Sequence, residues 1–247
     1  METPLINKKT FNRIRRHLPR QKARKRISDR LVISGIFWVI KTGSAWKQLP
    51  EFYGKWTTVY SRFKRWSKAG IFEKIFRIFT KRVNKKCFAM IDSTFSKAHR
   101  TAASMACSDV DRNIGRSRGG ITTKIHLLCN EYGLPIDFMV TGGEVHDVKL
   151  APDLIARNRM AGLIADKAYG SDEVRSALLK RKLKCCIPAK SNAKNKINHD
   201  RNTYKKRHRI ENMFARIKDL KGLALRTCRC AHTFTSFVSM ALIALFF

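Results

Sequence analysis

Two aspartates stand where their carboxylates could take part in a reaction. Asp92 follows the apolar run 89–91, and Asp166 follows the apolar run 163–165. Because both runs are typical of buried strands, we predict that each Asp ends a strand, the place where reactive groups collect in α/β sheets. A strand-terminal Asp can equally cap the turn that follows it, so for either residue alone both interpretations stay open.

A third carboxylate, Glu211, belongs to a basic amphipathic segment. At about 100° per residue, four residues of a helix predicted over 200–220 fall on one stripe: Tyr204, Arg207, Glu211 and Lys218. The neighbouring apolar stripe would face the sheet and put Glu211 beside the strand ends. An exposed Arg–Glu pair at this spacing contributes only about 0.2 to 0.5 kcal/mol, so a purely structural pair stays open as well.

Together the three carboxylates suit a hard divalent cation. Oxygen ligands are those that Mg²⁺ or Mn²⁺ prefers, and these ions also coordinate phosphates. Two such ions about 3.5 to 4 Å apart can activate the attacking oxygen and stabilise the leaving oxygen at a phosphodiester. None of the seven His residues lies in a Ser-His-Asp or Cys-His context. We therefore predict metal-dependent chemistry at phosphate.

The charge of the chain indicates a polyanionic partner. Its 247 residues include 52 Lys and Arg against 18 Asp and Glu, a formal net charge of +34, and 44% are hydrophobic. That apolar content is enough for a core, so the excess charge must lie on a folded surface, which a polyanion would neutralise. Nucleic acid is the first candidate and an anionic membrane the second, whereas a small-molecule metabolic enzyme is disfavoured.

The sequence predicts neither export nor a membrane anchor. The first 26 residues are basic but lack the apolar core of a signal peptide. The apolar run 234–247 is shorter than the roughly 18 to 20 residues that span a bilayer, and we predict a core-packing helix there. Seven cysteines without a CxxC pair indicate reduced thiols and no zinc site. We expect a cytoplasmic, nucleoid-associated protein with no membrane partner.

Two regions must position these residues. We predict that 1–85 form a small all-α domain and 86–247 an α/β domain. The helices expected in the first are 29–41, 58–68 and 72–83. The strands expected in the second are 87–91, 124–129, 136–141, 163–165 and 185–188, with helices over 148–159, 171–182, 200–220 and the terminus. The basic helical region is either a solvated structural surface or a DNA-binding module, and the net charge favours the module.

At this point the chain resembles the IS5 family of DDE transposases, within the IS4/IS5 superfamily. The spacing Tyr-x2-Arg-x3-Glu-x6-Lys at 204–218 is the signature of that family. Further matching segments are 43–50, 92–94, 115–126, 141–147 and 165–169. The resemblance covers nearly the whole chain and implies an RNase H-like catalytic core, a mixed five-stranded sheet with flanking helices, preceded by the helical domain. Ala168 departs from the glycine usual in the family.

The resemblance also implies roles for individual residues. The metal ligands would be Asp92, Asp166 and Glu211, and the DNA backbone near the scissile phosphate would be contacted by Tyr204, Arg207 and Lys218. Further DNA contacts are predicted at Arg116, Arg118 and Lys124, in and beside a basic, glycine-containing loop expected over 112–120.

The predicted activity is that of an insertion-sequence transposase. It would bind terminal inverted repeats through the helical region, cleave double-stranded DNA at the element ends and join the 3′-hydroxyls to target DNA with two Mg²⁺ or Mn²⁺ ions, as a homodimer or higher oligomer. Two alternatives stay open. One is an RNase H-like metal-dependent nuclease without strand transfer, and the other is a catalytically silent DNA-binding protein derived from a transposase.

Overall fold

The computed structural model describes residues 6–19, 27–81, 83, 86–104, 112–189 and 199–246. The chain divides into two compact units, each drawn from more than one stretch. The first comprises Met1–Phe76, Ala98–Arg112 and Ile217–Phe247, and the second Arg77–Lys97 and Asn113–Arg216. The predicted domain boundary at 85/86 adjoins residues 84 and 85, which lie outside the described residues. It remains a prediction, and the compact units follow a different division of the chain.

The helices and strands alternate in the second half of the chain, as predicted. The α-helices are α1 Lys8–Arg15, α2 Asp29–Thr42, α3 Trp56–Lys68, α4 Ile71–Thr80, α5 Arg100–Ala103, α6 Ala151–Arg157, α7 Asp172–Lys180, α8 Arg201–Lys205, α9 His208–Lys218, α10 Lys221–Ala224 and α11 Ala231–Ala244. The strands are β1 Phe88–Ala98, β2 Gly115–Ser117, β3 Gly120–Asn130, β4 Pro135–Gly142, β5 Gly162–Ile164, β6 Lys184–Cys186 and β7 Leu225–Arg226. Short 3₁₀ turns cover Trp46–Gln48, Glu51–Tyr53, Asp147–Leu150 and Lys167–Tyr169.

The first unit is helical. Helix α2 begins and ends as predicted: the Ser28 hydroxyl accepts a hydrogen bond from Leu31 N, and Gly43 ends the helix in the left-handed region at φ 67°. Helix α11 packs against α2 and α3, and Phe237 contacts the ring of Phe63. The prediction of a core-packing terminal helix is therefore confirmed. Among the described residues, no helix is both long and apolar enough to cross a bilayer.

The second unit is built on a mixed sheet. Its five main strands lie in the order β4-β3-β1-β5-β6. Strand β3 pairs antiparallel with both β1 and β4, and β5 pairs parallel with both β1 and β6. The chain turns from β3 to β4 at Gly133, where φ is +80°. The expectation of a mixed sheet with flanking helices is confirmed, and the sheet has seven strands where five were expected.

Four elements differ from the sequence-based expectations. Strand β1 runs on to Ala98, so Asp92 lies inside the strand and not at its end. The loop expected over 112–120 is a hairpin in which β2 pairs with β3. The helix expected over 200–220 is two helices, α8 and α9, and the helix expected over 148–159 is a 3₁₀ turn followed by α6. Side-chain pairing accompanies the break after α8, because Lys206 and Arg207 are held by Glu131 and Asp92 of the sheet.

Candidate active site

Asp92 and Asp166 lie at matching positions on neighbouring strands. The parallel pairing of β1 with β5 ends at Met90 opposite Ile164, and each aspartate comes two residues later. Adjacent strands lie about 4.7 to 4.9 Å apart. Asp92 and Asp166 therefore lie side by side, each two residues beyond the last paired position. The topology therefore brings together two carboxylates that are far apart in sequence.

Asp166 uses one carboxylate oxygen to cap a turn. Its Oδ1 accepts a hydrogen bond of 2.8 Å from Ala168 N at the start of the 3₁₀ turn Lys167–Tyr169. The capping interpretation, left open from the sequence, is thus correct for this oxygen. A cap fixes the direction of the carboxylate and does not conflict with a second role for the other oxygen.

Asp92 is half-buried among other charges. Its Oδ1 accepts a hydrogen bond from Ser93 N at 2.8 Å, and its Oδ2 lies 3.1 Å from Arg207 Nη1. Burial raises the pKa of Asp92, Ser93 N–H and Arg207 lower it, and the charges of Asp166 and Asp147 raise it further. Three carboxylates therefore share one electrostatic environment.

Glu211 joins this group through Arg207. It lies in the first turn of α9 and is exposed, and its Oε1 accepts a hydrogen bond from Arg207 Nη2. The same guanidinium thus contacts the carboxylates of Asp92 and Glu211. The Arg207–Glu211 pair predicted from helical spacing forms even though Arg207 precedes the helix.

Sequence reasoning missed a further carboxylate, Asp147, at the start of the 3₁₀ turn Asp147–Leu150. Its Oδ1 lies 2.8 Å from Lys124 Nζ and 3.9 Å from His126 Nδ1. The Lys124 contact has the distance of an ion pair but not the alignment of a hydrogen bond. Asp147 belongs to the matching segment 141–147, so a signal was present, but no role was assigned to it.

Lys124 is not placed as we expected for a DNA contact. Its side chain is 7% exposed, it donates a hydrogen bond of 2.6 Å to Val145 O, and its Nζ lies 4.8 Å from the centre of the Phe95 ring. An ammonium group engaged inside the protein cannot also neutralise a phosphate in solution. We therefore correct the assignment of Lys124 to an internal role beside Asp147.

The remaining predicted DNA contacts are more accessible. Arg116 and Arg118 are exposed on the β2–β3 hairpin, and Lys218 is exposed at the last residue of α9. Tyr204 is half-buried on α8, and its ring packs edge-on against His199 at 5.2 Å. These positions are compatible with DNA contacts, which stay predictions.

The donor set fits a divalent ion in its chemistry. In the part of the chain that the structure describes, no three carboxylate, imidazole or thiol groups converge closely enough to hold one. One guanidinium, however, contacts Asp92 Oδ2 and Glu211 Oε1. The two oxygens are therefore bridged by one cationic side chain, and Asp166 lies on the adjoining strand.

Two family models match the chain in succession. Residues 6–76 match the "Putative transposase of IS4/5 family", and residues 84–247 match the "Transposase DDE domain". A putative transposase for insertion sequence element IS6501 of Brucella ovis is 31% identical over 130 residues, which are 49% of this chain and 95% of that protein. The IS402 16.2 kDa protein of Burkholderia cepacia is 25% identical over 126 residues, 47% of this chain and 83% of that protein.

Solved structures of the Mos1 transposase give weaker matches. The Mos1 strand transfer complex is 13% identical, with 92% of this chain and 80% of that chain covered and a TM-score of 0.29. The Mos1 paired-end complex with the left transposon end is 10% identical, with coverages of 83% and 82% and a TM-score of 0.26. A TM-score this low does not assign a fold.

Proposed function

The chain belongs to the family of transposases with a DDE domain, and from this we propose that it cuts DNA at the ends of an insertion sequence and joins the freed 3′-hydroxyls to target DNA. The observation that carries the proposal is the placement of Asp92 and Asp166 side by side, with Glu211 tied to Asp92 by Arg207. The DDE family is metal-dependent, and its partner is DNA.

We assign the three carboxylates to the metal. Asp92, Asp166 and Glu211 would hold Mg²⁺ or Mn²⁺, since these ions prefer oxygen donors. Bound there, the ions would activate the attacking water or 3′-hydroxyl and stabilise the leaving oxygen. Asp92 and Asp166 would fix the position of the metal relative to the sheet. Glu211, in the exposed first turn of α9, would supply a metal ligand from the helix side of the site.

The cations of the chain would hold the DNA. Arg207 lies beside the carboxylates and could transfer from Asp92 and Glu211 to a phosphate oxygen near the reacting bond. Tyr204, Lys218, Arg116 and Arg118 would contact the backbone farther away. We assign recognition of the terminal inverted repeats to the helical region that matches the IS4/5 model. Two or more copies would act together, because both element ends must be joined.

The assignment can be tested with labelled duplexes that carry the inverted repeats flanking the gene. With Mg²⁺, the protein should release a 3′-hydroxyl at the element end and join it to a target plasmid. Asp92→Asn, Asp166→Asn and Glu211→Gln should each abolish both reactions and leave binding of the ends within about threefold.

A matched control is Asp137→Asn, because Asp137 is also an aspartate of the sheet but pairs with Arg157 at 2.7 Å. It should keep both reactions. Cleavage that persists in all three site variants would refute the assignment. Cleavage without joined products would indicate a nuclease of the same fold.

A further inference from the structure

Helix α3 of the helical unit has a single solvent-exposed face. The exposed residues of its 13 are Thr57, Ser61, Lys64, Arg65 and Lys68. Their spacing places them on one stripe of the helix. Three of them are cations, two carry hydroxyl groups and none is a carboxylate. The face therefore suits a partner that combines negative charge with hydrogen-bonding groups.

The opposite face of α3 is fixed in the core of the same unit. Val59, Phe63 and Trp66 are each at most 5% exposed. The buried guanidinium of Arg62 donates a hydrogen bond of 3.0 Å to Asp29 Oδ1 at the start of α2. Because these contacts hold one side of α3, the helix presents the same residues to any partner.

The exposed face of α3 differs from a surface that binds a membrane. An amphipathic helix on a membrane turns its apolar side toward the lipid, but the apolar side of α3 is buried in the protein. In the part of the chain that the structure describes, no ion pair involves Lys64, Arg65 or Lys68. These charges are therefore available to an external polyanion.

The five exposed residues form a central row with one cation on each side. At about 100° per residue, Thr57, Ser61 and Lys68 lie within about 40° of one another, and Lys64 and Arg65 flank them on opposite sides. A helix in the major groove points the middle of its outward face at the base edges, and its two sides pass the phosphate backbones. At about 1.5 Å per residue, α3 is about 20 Å long, more than the groove width of about 12 Å.

Helix α1 is also basic but has a different surface. It has eight residues, and Asn12 is the one exposed residue of α1 without a charge. Such a surface suits contacts with phosphates, which are independent of sequence. Helix α3 adds hydroxyl groups, which can form hydrogen bonds with base edges.

We propose that α3 is the helix that recognises the terminal inverted repeat in the major groove. Thr57 and Ser61 would contact base edges, and Lys64 and Arg65 would contact phosphates on the two sides of the groove. Lys68 extends the central row and can bond to guanine. The inference rests on the proposed function and names the surface of the helical region that carries recognition.

The test separates base contacts from phosphate contacts with two double variants. Fluorescence anisotropy measures binding to a labelled duplex with the inverted repeat and to an unrelated duplex of equal length, at several salt concentrations. Lys64→Gln with Arg65→Gln should weaken binding to both duplexes by the same factor, about tenfold. The slope of log K against log salt concentration should decrease by about 1.8, which is about 0.9 for each lost phosphate contact.

The second variant, Thr57→Val with Ser61→Ala, removes the two hydroxyl groups. It should keep the parental salt slope and reduce the preference for the repeat over the unrelated duplex about tenfold. All four substituted side chains are exposed, so both proteins should keep the parental circular dichroism spectrum. The two pairs are independent, so a loss of structure in one leaves the other to decide.

The matched control replaces Lys74 and Arg77 of α4 by Gln. These are likewise one exposed lysine and one exposed arginine of a helix, so the change in net charge is the same. The control should keep both the slope and the preference. If it lowers the slope as much as the α3 pair does, the effect is one of net charge. A parental preference in the variant without hydroxyl groups would show that α3 does not contact bases. Either result would overturn the inference.

Asp92→Asn separates this inference from the proposed function. That variant should bind the repeat with the parental preference and fail to cut it. If the α3 variants bind as the parent does, and the parent cuts and joins DNA, the inference fails and the proposed function stands. If the parent cuts no DNA at the element ends, the proposed function fails, and the preference for the repeat still decides whether α3 recognises DNA.

Discussion

Arg207 Nη1 lies 3.1 Å from Asp92 Oδ2, so a side chain that precedes a late helix is fixed on the first strand of the sheet, 115 residues earlier. The other arm of the same guanidinium contacts Glu211. Such charge-assisted contacts are stronger than neutral hydrogen bonds. Arg207 therefore occupies the place of a cation between two of the residues assigned to the metal.

The first prediction follows from this competition. Arg207→Met should tighten Mn²⁺ binding by the DNA-free protein about five- to tenfold, since an ion no longer has to displace a partly exposed ion pair worth about 1 kcal/mol. The same variant should cleave DNA more slowly, because the guanidinium is also assigned to the phosphate. Titration calorimetry and a single-turnover cleavage assay measure the two effects.

Lys206→Met is the control for Arg207→Met. Lys206 is the neighbouring cation but pairs with Glu131 at 2.5 Å, not with a site carboxylate. Its Mn²⁺ affinity should match that of the parent protein. If both variants gained affinity equally, the effect would be one of net charge and not of Arg207.

Part of the site could be predicted from local sequence. Asp92 and Asp166 each follow an apolar run, and parallel pairing of those runs suffices to bring the aspartates together. The contacts of Arg207 and Lys124 could not be predicted in this way. Both depend on side chains that meet across distant segments, and spacing alone does not distinguish a cation bound to a carboxylate from one that faces solvent.

The second prediction contrasts exposed and buried cations. Replacement of Arg116 and Arg118 by Gln should lower the slope of log K against log salt concentration for duplex binding, by about 0.9 for each phosphate that the protein no longer neutralises. Lys124→Met should leave the slope unchanged, because its ammonium is engaged with Asp147 and Val145 O. Fluorescence anisotropy with a labelled duplex at several salt concentrations gives the slopes. Equal slopes for the parent and the double Arg variant would show that the β2–β3 hairpin does not contact the DNA.

The third prediction concerns Gly162, which sets the spacing of the strands below the site. A Cβ there would lie 2.5 Å from the Lys184 carbonyl oxygen and 2.6 Å from the Phe88 ring. Gly162→Ala should therefore cost about 1 to 3 kcal/mol of unfolding free energy and shift β5 against β1. The shift would displace Asp166 from Asp92, so cleavage should slow as well.

Urea unfolding followed by circular dichroism measures the cost of Gly162→Ala. The control is Gly119→Ala, because a Cβ at Gly119 would come no closer than 3.8 Å to the Ser117 hydroxyl. That variant should stay within about 0.5 kcal/mol of the parent. A Gly162→Ala protein of parental stability would show that the strands have room for a methyl group.

Most of the helices and strands could be predicted from the sequence, but their first and last residues could be predicted less well. Periodicity and caps located α2, where Ser28 and Gly43 carry the signals. The continuation of β1 beyond Asp92 was not predictable, since it depends on antiparallel pairing with β3 as far as Lys97. The break between α8 and α9 was not predictable either, because residues 204–218 have a continuous helical pattern. The break coincides with ion pairs that Lys206 and Arg207 make with distant residues.

The last prediction concerns Arg226, a fully buried arginine of the helical unit. Its guanidinium donates hydrogen bonds to the carbonyl oxygens of Arg112, Cys228 and Arg229 and lies 4.8 Å from the centre of the Phe234 ring. Arg226→Lys keeps the charge but removes the planar fork, so some of these buried carbonyls no longer have a donor. We expect a decrease of about 2 to 4 kcal/mol in the free energy of unfolding.

The control is Arg229→Lys, at an exposed arginine with one such bond to Thr101 O, and it should change the urea unfolding midpoint little. Equal urea unfolding midpoints for the two variants would mean that the buried Arg226 guanidinium stabilises the fold no more than the exposed Arg229 side chain does.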